Sequence, residues 1–287
     1  MNLSPRRERF RAILSGRECV HPASVFDPIS ARIAQDLGFE LGMFAGSVAS
    51  LTVLGAPDLT VVSLTEFAEQ VHRICRAAGL PLLVDADHGF GNALSVKRTV
   101  EELETAGLAA LTIEDTLLPA PFGHSGKPRL ISVEEGVGKM RAALAGRQDP
   151  GLVIVGRTSA VTITGLDDAL VRLRAYEQAG VDALFPVGIK NRSELTAIAS
   201  SVKVPLIVGD AVGELNDLAF LASTHVRVCL QGHQPFMAAV RALYETMKLL
   251  RNGMDPRQIP NLASSDLVRQ VTRESAYQAW IKEFLGA

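Results

Sequence analysis

Leu80-Pro81-Leu82-Leu83-Val84-Asp85-Ala86-Asp87-His88-Gly89-Phe90-Gly91-Asn92 decides how the rest of this chain is read. A short apolar run behind a proline has the character of a fully buried strand. It runs directly into two carboxylates at i and i+2, then into a glycine-rich turn. In an extended chain that spacing points Asp85 and Asp87 to the same side. Carboxylates held together at a strand end repel each other, and a hard cation such as Mg²⁺ removes the repulsion. The competing reading is a solvated Asp-x-Asp turn, and the surrounding pattern has to decide between them.

Upstream, the spacing predicts a helix over 4–16, then a strand at 23–27, a helix over 30–37 closed by Gly38, and a strand at 41–45 ending in Gly46-Ser47. A turn at 54–59 and a helix over 66–78, capped by Thr65 with Phe67, Val71, Ile74 and Cys75 on one face, lead into the opening stretch. Downstream, helices near 95–106, 133–146, 167–179, 193–201, 214–223 and 235–251 alternate with strands at 109–114, 152–157, 182–187, 205–209 and 226–231. Buried strands alternating with amphipathic helices indicate a parallel sheet. Eight such units over 287 residues predict a closed (β/α)₈ barrel of the TIM type, one domain over residues 1–287. A doubly wound open sheet is the alternative, but no Gly-x-Gly-x-x-Gly turn follows the first strand. Residues 255–287 form a C-terminal helical extension carrying Tyr277, Trp280, Ile281 and Phe284 at helical spacing. That apolar stripe needs a surface, either a neighbouring subunit or the outside of its own barrel.

A net charge of −2 gives no reason to expect a nucleic-acid or acidic-membrane surface. Cys19, Cys75 and Cys229 share no metal-ligand spacing and suit free thiols in a reducing compartment. The first residues lack the apolar core of a signal peptide, and no later run is long enough to span a bilayer. The expectation is a soluble, cytoplasmic protein.

Catalytic groups of such barrels stand at the C-terminal ends of the strands. Those ends carry Asp27, Gly46-Ser47, Asp85 with Asp87, Glu114 with Asp115, Arg157, Val187, Gly209-Asp210 and His233, with Asp58 on the loop after the second strand. Carboxylates facing one arginine and one histidine describe a site for Mg²⁺ and a small dicarboxylate. Mg²⁺ takes only one or two protein carboxylates directly. Asp85 is the expected direct ligand, with Asp87, Glu114 and Asp58 around its waters; Mn²⁺ suits the same oxygens. Arg157 can grip a substrate carboxylate with two hydrogen bonds, and the N–H groups of Gly46 and Ser47 add donors. Plainer roles compete: Arg157 as an ion pair to Glu114, Ser47 and His233 as caps, His88 as a surface or outer group.

The same stretches resemble the phosphoenolpyruvate mutase/isocitrate lyase superfamily: Gly46-Ser47, Pro57-Asp58-Leu59, Asp85 to Asn92, Ile113-Glu114-Asp115, Gly123-His124 and Gly156-Arg157-Thr158. The resemblance spans roughly residues 20–250. It implies a Mg²⁺-dependent barrel acting on 2-oxo or 2-hydroxy acids, assembled as a homotetramer (a dimer of dimers) with its last helix exchanged between subunits. Lyases of the family place a lysine, an arginine and an acid–base cysteine before Gly-His, where this chain reads Ala120-Pro121-Phe122. They also carry a glutamate where Val187 stands and an asparagine where Gly209 stands. The chain is therefore most similar to the oxaloacetate decarboxylase branch, in which a histidine after the eighth strand contacts substrate, as His233 would. A lyase or hydrolase for another 2-oxo acid and a non-catalytic binding barrel are the alternatives. The loop from Thr116 to Leu130 reads as a lid, and Phe122 with Val187 is expected to form the apolar side of the site.

Overall fold

The computed structural model describes residues 3–123 and 126–286. Eight parallel strands follow one another around a single sheet in sequence order: β1 (Ala23–Ser24), β2 (Gly42–Phe44), β3 (Leu82–Asp85), β4 (Ala110–Glu114), β5 (Val153–Thr158), β6 (Ala183–Pro186), β7 (Leu206–Gly209) and β8 (Val226–Leu230). A parallel bridge between Val20, just ahead of β1, and Val228 of β8 joins the two ends of the sheet. The fold is the expected (β/α)₈ barrel. Its strands are short apolar runs with nearly every side chain buried, as a sheet covered on both faces requires.

Local chemistry explains where the covering helices begin and end. Helix Pro28–Asp36 starts on a reciprocal cap: Asp27 accepts from the Ser30 N–H at 2.7 Å, while the Ser30 hydroxyl accepts the Asp27 N–H. Helix Leu64–Ala77 starts the same way on Ser63 and Glu66, so the cap is Ser63 and not Thr65. The reason is that Glu66, three residues on, reaches back to the Ser63 N–H at 2.9 Å. Helices Ala93–Ala106 and Leu166–Ala179 stop at Gly107 and Gly180, both left-handed. The unit expected at 214–223 is broken into a 3₁₀ turn at Gly213–Leu215 and a helix at Leu218–Ser223. Among the described residues no helix is long and apolar enough to cross a membrane. Cys19, Cys75 and Cys229 are free and buried.

Two features stand outside the barrel wall. Helix Gln234–Arg251 follows β8 but buries none of its residues. The tail forms helices Ser265–Thr272 and Glu274–Leu285. It is tied to helix Pro28–Asp36 by Arg273, which donates to both oxygens of Asp36 at 2.7 Å, and by Arg32, which donates to the Val271 carbonyl.

Candidate active site

Strand register assembles the site. Asp85, the last residue of β3, pairs with Thr112 of β4, and Glu114, the last residue of β4, pairs with Arg157 of β5. The Thr112 hydroxyl donates to Oδ1 of Asp85 at 2.8 Å, and the Asp87 N–H donates to the same oxygen at 3.2 Å. Oδ2 of Asp85 accepts from Nη1 of Arg157. The Asp87 carbonyl in turn accepts the Glu114 N–H at 2.8 Å, so the two strand ends are stitched together. Nε of Arg157 lies 3.5 Å from Glu114, and its guanidinium sits over the Phe185 ring at 5.5 Å.

The turn after Asp85 is backbone-demanding. Asp87, Gly89 and Phe90 all have positive φ. Three contacts hold it: the Gly89 N–H on the Ala86 carbonyl, the Thr99 hydroxyl on the Gly89 carbonyl at 3.1 Å, and the Lys139 ammonium on the His88 carbonyl at 2.8 Å. Gly46 leaves room for the Asp87 carboxylate beside it.

A cavity of about 360 Å³ opens at the C-terminal ends of the strands. Asp58, Asp85, Asp87, Glu114, Arg157, Ser47 and His233 all line it, together with Ser24, Met43, Leu118, Phe185 and Val187. Its charges are strongly interdependent. Burial and then the Asp85, Glu114 and Asp58 carboxylates push Asp87 up to about 8. Burial raises Glu114, with Arg157 opposing and Asp85 adding to the rise. Burial, then Asp85, raises Asp58. Burial works against the charge of Arg157, yet Asp85, Glu114 and Asp87 outweigh it and hold the guanidinium ionised. Asp210 also lines the cavity, and one arginine among five carboxylates leaves negative charge uncompensated. Such a set of hard oxygen donors fits Mg²⁺. Among the described residues no three His, Cys, Asp or Glu side chains converge enough to ligate an ion together.

Several sequence expectations are corrected here. Asp27 caps a helix and is absent from the cavity lining, because β1 already ends at Ser24. Asp115 is fully buried, accepting from Tyr176 at 2.6 Å and Arg172 at 3.0 Å; one residue beyond Glu114, it leaves the sheet on the opposite face. His88 is buried and not on the surface, its pKa lowered to about 4 by burial and by Lys139. Phe122 is fully exposed and contributes nothing to the cavity; Leu118, Phe185 and Val187 supply its apolar lining. His124 lies outside the described residues.

The structure also adds residues that were not singled out. Thr112 was detectable, as the one hydroxyl in the apolar strand Ala110–Glu114. Lys139 was not, because it reaches the turn from a helix 51 residues away.

Comparison with known proteins agrees with this geometry. Residues 10–251 match a family model described as phosphoenolpyruvate phosphomutase. The chain is 58% identical over 286 residues to a protein of Bradyrhizobium diazoefficiens named oxaloacetate decarboxylase, covering 100% of this chain and 99% of that one. It is 56% identical over 286 residues to one of the same name from Rhodopseudomonas palustris, covering 100% of this chain and 99% of that one. A crystal structure of phosphonopyruvate hydrolase in complex with oxalate and Mg²⁺ superposes with a TM-score of 0.85 at 28% identity, over 98% of this chain and 99% of that one.

Proposed function

The chain belongs to the phosphoenolpyruvate phosphomutase family, and on that premise we propose that it is a Mg²⁺-dependent oxaloacetate decarboxylase, converting oxaloacetate to pyruvate and CO₂. Full-length relatives at 58% and 56% identity bear that name. The observation that carries the reading is the make-up of the cavity: five carboxylates (Asp58, Asp85, Asp87, Glu114 and Asp210) with one arginine, and, among the described residues, no lysine or cysteine in its lining. Such a site can bind a 2-oxo dicarboxylate and stabilise negative charge, but it offers no thiol or amine for acid–base cleavage.

Asp85 is the direct ligand for Mg²⁺ in this scheme, with Asp87, Glu114 and Asp58 holding its waters; Mn²⁺ is an acceptable substitute. When bound, the ion supplies Lewis-acid stabilisation of charge developing on the 2-oxo oxygen. Arg157 grips the 1-carboxylate, which stays on the product. His233, with Ser47 and the backbone at Gly46, contacts the same end. The 3-carboxylate then faces Leu118, Phe185 and Val187, where a dry wall favours neutral CO₂ over a carboxylate. The bond between the 3-carbon and its carboxylate breaks, its electron pair passes into the 2-oxo group, and the resulting enolate takes a proton from water at the 3-carbon. Keeping the arginine off the departing group avoids a ground-state ion pair that weakens as charge is lost.

A second copy of the chain is the partner of the exposed helix. Met237, Val240, Leu243, Tyr244 and Met247 of helix Gln234–Arg251 are all exposed. Beside that helix runs an apolar groove lined by Phe26, Ile33, Ala34 and Leu37. The C-terminal extension over residues 255–287 leaves Tyr277, Trp280, Ile281 and Phe284 exposed as well. Exchange of this helix together with that extension between two subunits covers these surfaces, and pairing of such dimers gives a homotetramer; sedimentation at several concentrations measures the assembly. Three free buried cysteines suit a cytoplasmic location.

The deciding experiment follows CO₂ and pyruvate from oxaloacetate with and without Mg²⁺, against a blank of Mg²⁺ alone. Stoichiometric CO₂ and pyruvate, well above the blank, are expected. Release of oxalate and acetate instead would identify a hydrolase and displace the decarboxylase reading.

A further inference from the structure

β1 ends at Ser24, whose hydroxyl lies 3.0 Å from Nδ1 of His233 across the junction of β1 and β8. Both side chains line the cavity. His233 stands at the start of helix Gln234–Arg251 but makes no side-chain capping bond to it. Among the described residues the Ser24 hydroxyl is therefore the ring's one hydrogen-bond partner.

That contact matters because of what the ring must do. Burial lowers the pKa of His233, against the pull of Asp85 and Asp210, so the imidazole favours its neutral form. A neutral imidazole has one proton, and the hydrogen bond at one ring nitrogen decides which nitrogen carries it. A carboxylate only accepts hydrogen bonds. A ring protonated at Nδ1 would present it with a lone pair, whereas a ring protonated at Nε2 would present a donor.

We propose that Ser24 is a positioning residue for His233, its hydroxyl donating to Nδ1 so that the ring's proton stays on Nε2 and meets the substrate's carboxylate. The inference rests on the oxaloacetate reading only for the identity of that carboxylate. The Ser24–His233 arrangement itself belongs to the protein without substrate.

Two measurements test it. NMR of the chain labelled with ¹⁵N-histidine, with His233→Gln assigning the signal, reads the tautomer directly. The expected result is a protonated Nε2 and an unprotonated, hydrogen-bonded Nδ1. A proton on Nδ1 in the resting protein overturns the proposal, whatever the activity. In kinetics, Ser24→Ala should raise KM for oxaloacetate on the order of tenfold, the size of one lost hydrogen bond, with kcat changed by no more than about twofold. Ser24→Thr, which keeps the hydroxyl, should return KM toward the parent value. In a His233→Ala background Ser24→Ala should cost nothing further, because the residue acts through the ring. An undiminished KM penalty in that background overturns the proposal. Should the parent protein fail to turn over oxaloacetate, the decarboxylase reading falls, and the NMR result still decides the role of Ser24.

Discussion

A methyl group on Gly46 would lie 2.5 Å from Oδ1 of Asp87 and 2.6 Å from Oδ2. The glycine is thus the floor on which that carboxylate rests. Gly46→Ala should displace Asp87 and weaken Mg²⁺ affinity by about tenfold or more, as changes around a ligand do. Titration calorimetry with Mg²⁺ measures it; unaltered affinity would mean that the position of Asp87 is immaterial to the ion.

Asp85 collects the Thr112 hydroxyl, the Asp87 N–H and the Arg157 guanidinium on its two oxygens. Asp85→Ala should abolish Mg²⁺-dependent turnover while circular dichroism and elution volume stay those of the parent. Asp87→Ala and Glu114→Ala should lower metal affinity by roughly ten- to a hundredfold. Parental activity of Asp85→Ala at micromolar Mg²⁺ would remove Asp85 as principal ligand.

Charge in the cavity makes stability depend on pH in a defined direction. Asp87 is raised to about 8, so between its unfolded value near ~3.9 and about 8 the folded chain holds the extra proton. Stability therefore falls as pH rises through that window and levels off above it. His88, lowered to about 4, acts with the opposite sign, losing stability as pH falls below its unfolded value near ~6.5. The Asp87 effect is best read above that point. In EDTA, calorimetric Tm should decline from about pH 6.5 to about pH 8, and Asp87→Asn should flatten the decline. A slope unchanged by Asp87→Asn would assign it to other groups.

In the proposed scheme Arg157 and His233 hold the end of the substrate that becomes pyruvate. Arg157→Ala should raise KM steeply, and the affinity for oxalate, which imitates the pyruvate enolate, should fall in parallel. His233→Ala should do both more mildly. Loss of oxaloacetate turnover with oxalate binding intact would put the arginine on the departing carboxylate.

The loop between β4 and helix Val133–Gly146 is fastened at its base, where Leu117 donates to the Arg129 carbonyl at 2.8 Å and Ile131 to the Asp115 carbonyl at 2.9 Å. Leu118 and Ala120 line the cavity, while Phe122 stands fully in solvent. As a lid, the segment should be cut by limited proteolysis around Gly126 and protected by Mg²⁺ with oxalate. Equal cleavage in both conditions would count against closure.

The barrel was legible because most of its strands are short, predominantly apolar runs and several of its helices end at glycines such as Gly107 and Gly180, both local signals. The carboxylate cluster was legible for the same reason: Asp85, Asp87 and Glu114 stand where apolar runs stop. Asp115 was misread although strand alternation argues against it, since it follows Glu114 directly. Asp27 was misread because a helix cap and a strand end look alike in sequence when the strand is only two residues long. Ser24 and His233 meet at the mouth of the barrel, from its first strand and from just after its last, 209 residues apart in sequence, and no local pattern carries such a pairing. Phe122 shows the converse limit, an aromatic side chain taken for lining that the loop turns outward.

The three cysteines give the protein a chemical temperament of its own. All are buried, none lines the cavity, and burial pushes Cys19 and Cys75 up to about 12 and Cys229 up to about 11. Thiolate is the species that alkylating agents and peroxides attack, and at neutral pH these side chains supply almost none. A relative that relies on a loop cysteine would be silenced by iodoacetamide or oxidative stress. This chain, with Ala120-Pro121-Phe122 in that place, should keep turning over substrate through both.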